Sequence, residues 1–231
     1  MTGPAPSIEV ELSGERVRLL ADRAAYWPAR ETLIVSDVHL GKDQTLRAAG
    51  APMVEGCLEH DLRRLSALVE QTACSRLLVT GDLVHATAGL GGGLLERVAE
   101  WRRSLGVEVW LVRGNHDRAV GRFGRLWELE VVEPPLVEGP LAFVHEPAEV
   151  DGAHAIGGHV HPVVLLKPRS RGRRFAGGGG APIRMHCFRV GERVTVLPAF
   201  GSFISGAVGE PRLGERVFGC VEGCVVEVPL G

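Results

Sequence analysis

Leu33-Ile34-Val35-Ser36-Asp37-Val38-His39 is a short apolar run that stops on a serine and then an Asp-x-His pair. Apolar runs of about 4–8 residues, rich in β-branched side chains and closed by polar ones, read as buried strands. The pattern recurs at Leu77-Leu78-Val79-Thr80, followed by Gly81-Asp82-Leu83-Val84-His85, and at Trp110-Leu111-Val112, followed by Gly114-Asn115-His116-Asp117. Between the first two runs, Leu58, Leu62, Leu65, Leu68 and Val69 keep helical spacing; between the second and third, Leu94, Leu95, Val98 and Trp101 do so within residues 92–105. Such stripes lay one helical face on a sheet. Strand, helix, strand, helix, strand over residues 32–112 therefore predicts parallel βαβ units in a layered α/β fold.

Further runs at 16–20, 141–144 and 163–166 predict more strands, and those beyond residue 140 have no helical stripe between them. The second half is expected to be mostly β. The chemistry-bearing residues follow the strands. In parallel sheets ligands gather at the carboxyl ends, which is where Asp37, His39, Asp82, Asn115 and His116 fall. Val144-His145 closes another run, and Gly158-His159-Val160-His161-Pro162 points two imidazoles the same way, because side chains alternate along an extended segment.

This set suits a two-cation site. Two divalent ions about 3.5–4 Å apart need a shared anionic bridge and about three further ligands each. Oxygen and nitrogen donors without thiolate point to Mn, Fe or Zn. The five cysteines form no metal-binding pairs and read as reduced thiols, buried more often than not.

The 231 residues are 45% hydrophobic, which excludes disorder and allows one large domain spanning 1–231. A formal charge of -2 excludes a whole-molecule basic field. No apolar run reaches the roughly 18 residues of a membrane span, and the first residues carry no leader pattern, so a cytoplasmic protein with no membrane partner is expected. Only Lys42 and Lys167 are lysines; the basic charge is otherwise arginine, suited to bidentate phosphate contact. Residues 171–182 read as a flexible basic, glycine-rich loop around Gly177–Gly180. It is either a solvated hairpin or a contact for a phosphate backbone.

In this order the motifs resemble the calcineurin-like metallophosphoesterases over nearly the whole chain. The resemblance implies a four-layer α-β-β-α sandwich, two mixed sheets flanked by helices. It assigns Asp37, His39 and His161 to one metal, Asp82 to the bridge, and Asn115, His145 and His159 to the second metal. His116 would lie over the scissile phosphate, oriented by Asp117. A bridging hydroxide would then attack phosphorus in line with the leaving oxygen. Arg23-Ala24-Ala25-Tyr26-Trp27-Pro28, His39-Leu40-Gly41-Lys42, Arg47-Ala48-Ala49-Gly50 and Leu197-Pro198-Ala199-Phe200-Gly201 are similar to the bacterial ligase-associated DNA-damage-response endonucleases. That group implies manganese, a DNA substrate, and association with a DNA ligase, an exonuclease and a helicase.

Two other functions compete: hydrolysis of a small nucleotide or phosphomonoester at the same metals, and a non-catalytic protein-binding scaffold. His85 either orients a ligand or caps the next element. Lys42 and Arg47 either steer a phosphodiester or are solvated. His60, His154 and His186 match no motif and are expected outside the site, and Leu197–Gly201 is expected to support it structurally.

Overall fold

The computed structural model describes residues 7–48, 50, 56–166 and 181–229. The glycine-rich stretch Gly177–Gly180, with the basic residues before it, lies outside them. Among the described residues the chain forms two mixed sheets and four α-helices.

The first sheet orders β1 (Ser7–Leu12), β2 (Glu15–Leu20), β3 (Ala24–Trp27), β4 (Thr32–Val35), β5 (Arg76–Thr80), β6 (Glu108–Val112) and β7 (Glu130–Val132) side by side. Strands β1 to β4 pair antiparallel, and β4 to β7 pair parallel. The βαβ pattern accounts for the parallel half. Helix α2 (Cys57–Thr72) links β4 to β5, and α3 (Gly92–Ser104) links β5 to β6. Leu62, Leu65 and Leu68 of α2, and Leu94, Val98 and Trp101 of α3, are buried with Leu33, Val35, Leu77 and Val79 of the sheet. Helix α1 (Lys42–Ala48), which the apolar spacing does not announce, follows the His39 loop. After β6 a 3-10 turn, Asp117–Ala119, runs into α4 (Val120–Phe123).

The second sheet is built from β8 (Leu136–Glu138), β9 (Leu141–Phe143), β10 (His154–Gly157), β11 (Pro162–Leu166), β12 (Ile183–Val190), β13 (Val194–Val196), β14 (Ala207–Val208), β15 (Arg216–Val221) and β16 (Cys224–Val228). It is mixed, with β9, β10 and β13 parallel and β12 antiparallel to its neighbours. The sheets meet through a second core: Ile34, Leu78 and Val112 present the faces opposite the helices, against Phe143, Ile156, Phe188 and Phe218. Trp27 and Phe143 are fully buried there, their ring centroids 6.1 Å apart. The four helices lie on the sequence side of Gly124, and α2, α3 and α4 share a core with the first sheet. The far face of the second sheet carries a small cluster around Met185, Cys187, Val217 and Val228.

Register positions the site. Val35 pairs with Val79, and Thr80 with Val112, so the segments after β4, β5 and β6 emerge together. Ile156 pairs with Phe143, which sets the loops after β9 and β10 side by side.

Candidate metal centre

Strand β4 ends at Val35, and beyond it Asp37 and His39 take up left-handed backbone, φ 53° and 50°. Donation from Asp37 N to the Gly81 carbonyl and from His39 N to the Asp82 carbonyl braids this loop onto the one after β5. Asp37 is fully buried. Its Oδ2 accepts from the Ser36 hydroxyl at 2.7 Å and from His159 N at 2.9 Å. Among the described residues its Oδ1 has no hydrogen-bond partner, nor do the buried His39 Nε2 and His161 Nε2. Asp37, His39 and His161 offer one ligand atom each within 4.8 Å of one another. Buried polar atoms are almost always satisfied; three orphans converging on one point are a donor set that suits a cation.

A second set, Asp82, His145 and His159, also lies within 4.8 Å. Asp82 Oδ1 accepts from His116 N at 2.9 Å, which frees Oδ2 to face the imidazoles. Oδ2 lies 3.4 Å from His145 Nε2, 3.8 Å from His39 Nε2 and 3.9 Å from His116 Nε2. Asp82 thus stands between the two sets. Asn115 Oδ1 lies 2.8 Å from His145 Nε2, and His159 Nδ1 lies 3.0 Å from it. His145 Nδ1 sits 3.2 Å from the Thr80 carbonyl, which can only accept, so Nδ1 carries a proton and Nε2 is the ring nitrogen turned inward.

The ionisation states agree with that arrangement. Burial pushes the His39 imidazolium down to about 3 against the opposing charges of Asp82 and Asp37, which keeps the ring neutral. Burial also disfavours charge on Asp82 and His145, but their mutual hydrogen bond outweighs it, leaving the carboxyl below and the imidazole above their ordinary values.

His116 is exposed at the mouth, with its Nδ1 2.6 Å from the His85 carbonyl. The His85 ring stacks on that of His116 at 5.5 Å, and its Nδ1 approaches His39 Nδ1 to 3.3 Å. His85 therefore touches both neighbours, and the 3-10 turn that follows it starts from Ala86 with no side-chain cap. Asp117, directly after His116, is fully buried. Its buried carboxylate accepts from Gly114 N at 2.9 Å and Val84 N at 3.2 Å, so it fastens the two loops that carry Asp82 and His116. Burial lifts this carboxyl to about 6.

Two segments without reactive groups form a buttress. Phe200 N donates to the Ser36 carbonyl and Gly201 N to that of Asp37, while Arg23 Nη1 donates to the Ala199 and Gly201 carbonyls. Arg64 adds a bond to the Phe200 carbonyl. Ser36, Thr80 and Arg64 escaped the sequence reading: the first two are common strand residues, and Arg64 reads as the polar side of α2. Of the remaining histidines, His60 is exposed on α2, His154 is buried beside Thr195, and His186 lies on β12 with a buried Nδ1 that has no hydrogen-bond partner among the described residues. Lys42 and Arg47 both lie on α1, where Arg47 pairs with Asp43 at 3.0 Å.

The calcineurin-like phosphoesterase family model matches residues 31–147. Among solved structures, the nuclease MPE of Pseudomonas putida is similar, at 33% identity and a TM-score of 0.77, covering 96% of this chain and all of that one. No curated protein matches.

Proposed function

The chain belongs to the calcineurin-like phosphoesterase family and is a metallophosphoesterase, and on that premise we propose that it is a DNA endonuclease with a two-cation centre. Asp37, His39 and His161 would hold one ion, Asn115, His145 and His159 the other, with Asp82 between them. When bound, divalent cations neutralise charge on the phosphate and acidify a water to near neutral pH. The remaining chemistry belongs to the protein. His116, held at Nδ1 by the His85 carbonyl, keeps Nε2 on the Asp82 side, and as an imidazolium it donates a proton to the leaving oxygen. His85 positions His116 and His39, and Asp117 keeps the two loops in register.

The surface leading away from His116 favours a polymer over a small ester. Arg118, Arg122 and Arg125 are all exposed, and none has a carboxylate partner among the described residues. Val120, Phe123 and Trp127 of the same helical turns are buried, so the three guanidinium groups share the outward face. At about 1.5 Å per residue they extend over roughly 10 Å. In a chain of net charge -2 this is a local cationic lane suited to a phosphate backbone. The likeness to a nuclease along almost the whole chain supports the same substrate class.

Manganese as the working ion, a place in bacterial DNA repair, and association with a ligase, an exonuclease and a helicase complete the proposal. They rest on the resemblance of the motifs. The cysteines form no disulfide among the described residues, which supports a reducing, cytoplasmic setting; no described helix is long and apolar enough to cross a membrane. A core running from Val10 to Val225 between the sheets supports one domain over residues 1–231.

The test is to strip the protein of metal, restore Mn²⁺, Mg²⁺ or Zn²⁺ separately, and compare circular single-stranded DNA, plasmid, RNA and simple mono- and diesters. Cleavage of closed circles with Mn²⁺ is expected. Hydrolysis of monoesters alone overturns the nuclease and favours a small-molecule phosphatase.

A further inference from the structure

A cavity of about 630 Å³ opens beside the centre, with Asn115 and His145 in its wall. Its volume is in the range of small-ligand sites, about 300–1,000 Å³. Pro134, Pro135, Val144 and Ala148 give it apolar surface. The charges on its border are largely compensated: Arg113 Nε lies 3.1 Å from Glu133, and Arg193 Nη1 lies 2.7 Å from Glu149. Glu146 is different. It follows His145 directly, is exposed, lines the cavity, and has neither a hydrogen bond nor an ion pair among the described residues.

Those features select an occupant. A phosphate is repelled by an unpaired carboxylate, because two like charges at close range oppose one another. The polyanionic part of a substrate is attracted elsewhere, to the cations and to Arg118, Arg122 and Arg125. What suits this cavity is neutral, flat and partly apolar, with N–H groups for Glu146 to accept from. Within a nucleic acid that is a base.

We propose that the cavity is a nucleobase subsite, which takes the base of a nucleotide adjoining the scissile phosphate against Pro135 and Val144, with an amino or ring N–H directed to Glu146. The inference rests on the phosphodiesterase reading and deepens it: the enzyme grips its substrate by the base on the Asn115 side and by the backbone on the Arg118 side. A base carried by a polynucleotide and one carried by a mononucleotide ester present the same chemistry, and the experiment separates them.

The p-nitrophenyl ester of deoxycytidine 5′-phosphate is compared with methyl p-nitrophenyl phosphate, a diester without a base, on the Mn²⁺-loaded protein. The wild type is expected to favour the nucleoside ester at least about tenfold in kcat/KM, carried mainly by KM. Ala148→Trp fills the cavity from an exposed position that can accept the larger side chain, and should bring that ratio down to about twofold or less. Glu146→Gln keeps the shape, removes the charge, and should lower the ratio about threefold or more. A wild-type ratio near one, or a ratio that Ala148→Trp leaves unchanged, overturns the subsite. Closed circular DNA is tested in parallel. Failure to cut it while the nucleoside ester is still preferred overturns the nuclease reading and keeps the subsite for a mononucleotide. Failure to hydrolyse either diester overturns both.

Discussion

Asp37, His39, Asp82, His159 and His161 all sit on left-handed backbone, with φ of 53°, 50°, 52°, 64° and 49°. For residues with a Cβ this conformation costs on the order of 1 kcal/mol each, and it persists because the inter-loop hydrogen bonds over-determine it. At His161, glycine removes the ligand and the strain together, whereas alanine removes only the ligand. His161→Gly is therefore expected to be more stable than His161→Ala by about 1 kcal/mol in urea unfolding with chelator present; equal stabilities would mean that the strain is not held there. Gly158 shows the opposite constraint. A Cβ at this position would overlap Ser36 Oγ and Asp37 Oδ2, so Gly158→Ala should displace Asp37 and lower metal content as measured by mass spectrometry. Function divides along similar lines. His116 touches no cation in the proposed scheme, so His116→Ala should keep its metal while losing about 10²- to 10⁴-fold in turnover. Asp82→Ala, which removes the carboxylate between the two sets, should lose both ions; retained metal would displace Asp82 from the bridge.

The strands that carry these residues were legible where both faces are buried. Strand β4 alternates between the helical core, through Leu33 and Val35, and the inter-sheet core, through Ile34, so the whole run is apolar and reads as a strand. Strand β1 sends only Val10 and Leu12 fully inside, and β12 interleaves Arg184 and His186 with Met185 and Cys187; their polar faces hid them. Backbone partners such as the Thr80 carbonyl cannot be read from side-chain types at all. The DxH, GNHD and GHxH motifs, by contrast, announced residues that the fold brings together across two sheets, because strand ends in register meet at one edge. The arginine face of the 117–125 turns was legible in principle, since Arg118, Arg122 and Arg125 are spaced i, i+4, i+7 opposite the buried Val120 and Phe123. If it tracks a phosphate backbone, each Arg→Gln change should reduce the slope of log affinity against log salt by roughly 0.7–0.9. Filter binding of a DNA oligonucleotide to the metal-free protein at several salt concentrations measures this, and a slope unchanged in the triple variant would remove the lane.

Over the whole molecule, a net charge of -2 conceals a set of histidines that the fold keeps neutral, and their sum governs the response to acid. Burial lowers His39 to about 3 and His186 to about 4, and it also depresses His85 and His154. For each, the unfolded chain takes up a proton near pH 6.5 that the folded chain refuses. Between the unfolded and folded values the unfolded state binds more protons, so stability rises with pH and is lost as pH falls. Two groups act in the opposite sense. Asp117, raised to about 6, holds a proton in the fold that the unfolded carboxyl releases, and His145 is raised by Asp82; both favour the folded state on acidification. Four groups against two give a net loss. The chelator-treated protein should therefore melt progressively lower as pH falls from about 7.5 to about 4.5, the window containing the unfolded histidine value near 6.5. His186 supplies the control. It lies outside the metal-facing set, its buried Nδ1 has no hydrogen-bond partner among the described residues, and besides burial the nearby charges of Arg23, Arg184, His161 and Arg64 oppose its protonation. His186→Gln removes one titrating group, so the melting temperature of this variant should fall less steeply over the same window, by a proton-linkage difference approaching one proton. Parallel wild-type and variant profiles would show that His186 titrates alike in the folded and unfolded chain, and a wild-type profile flat to pH 4.5 would mean that the raised groups cancel the lowered ones.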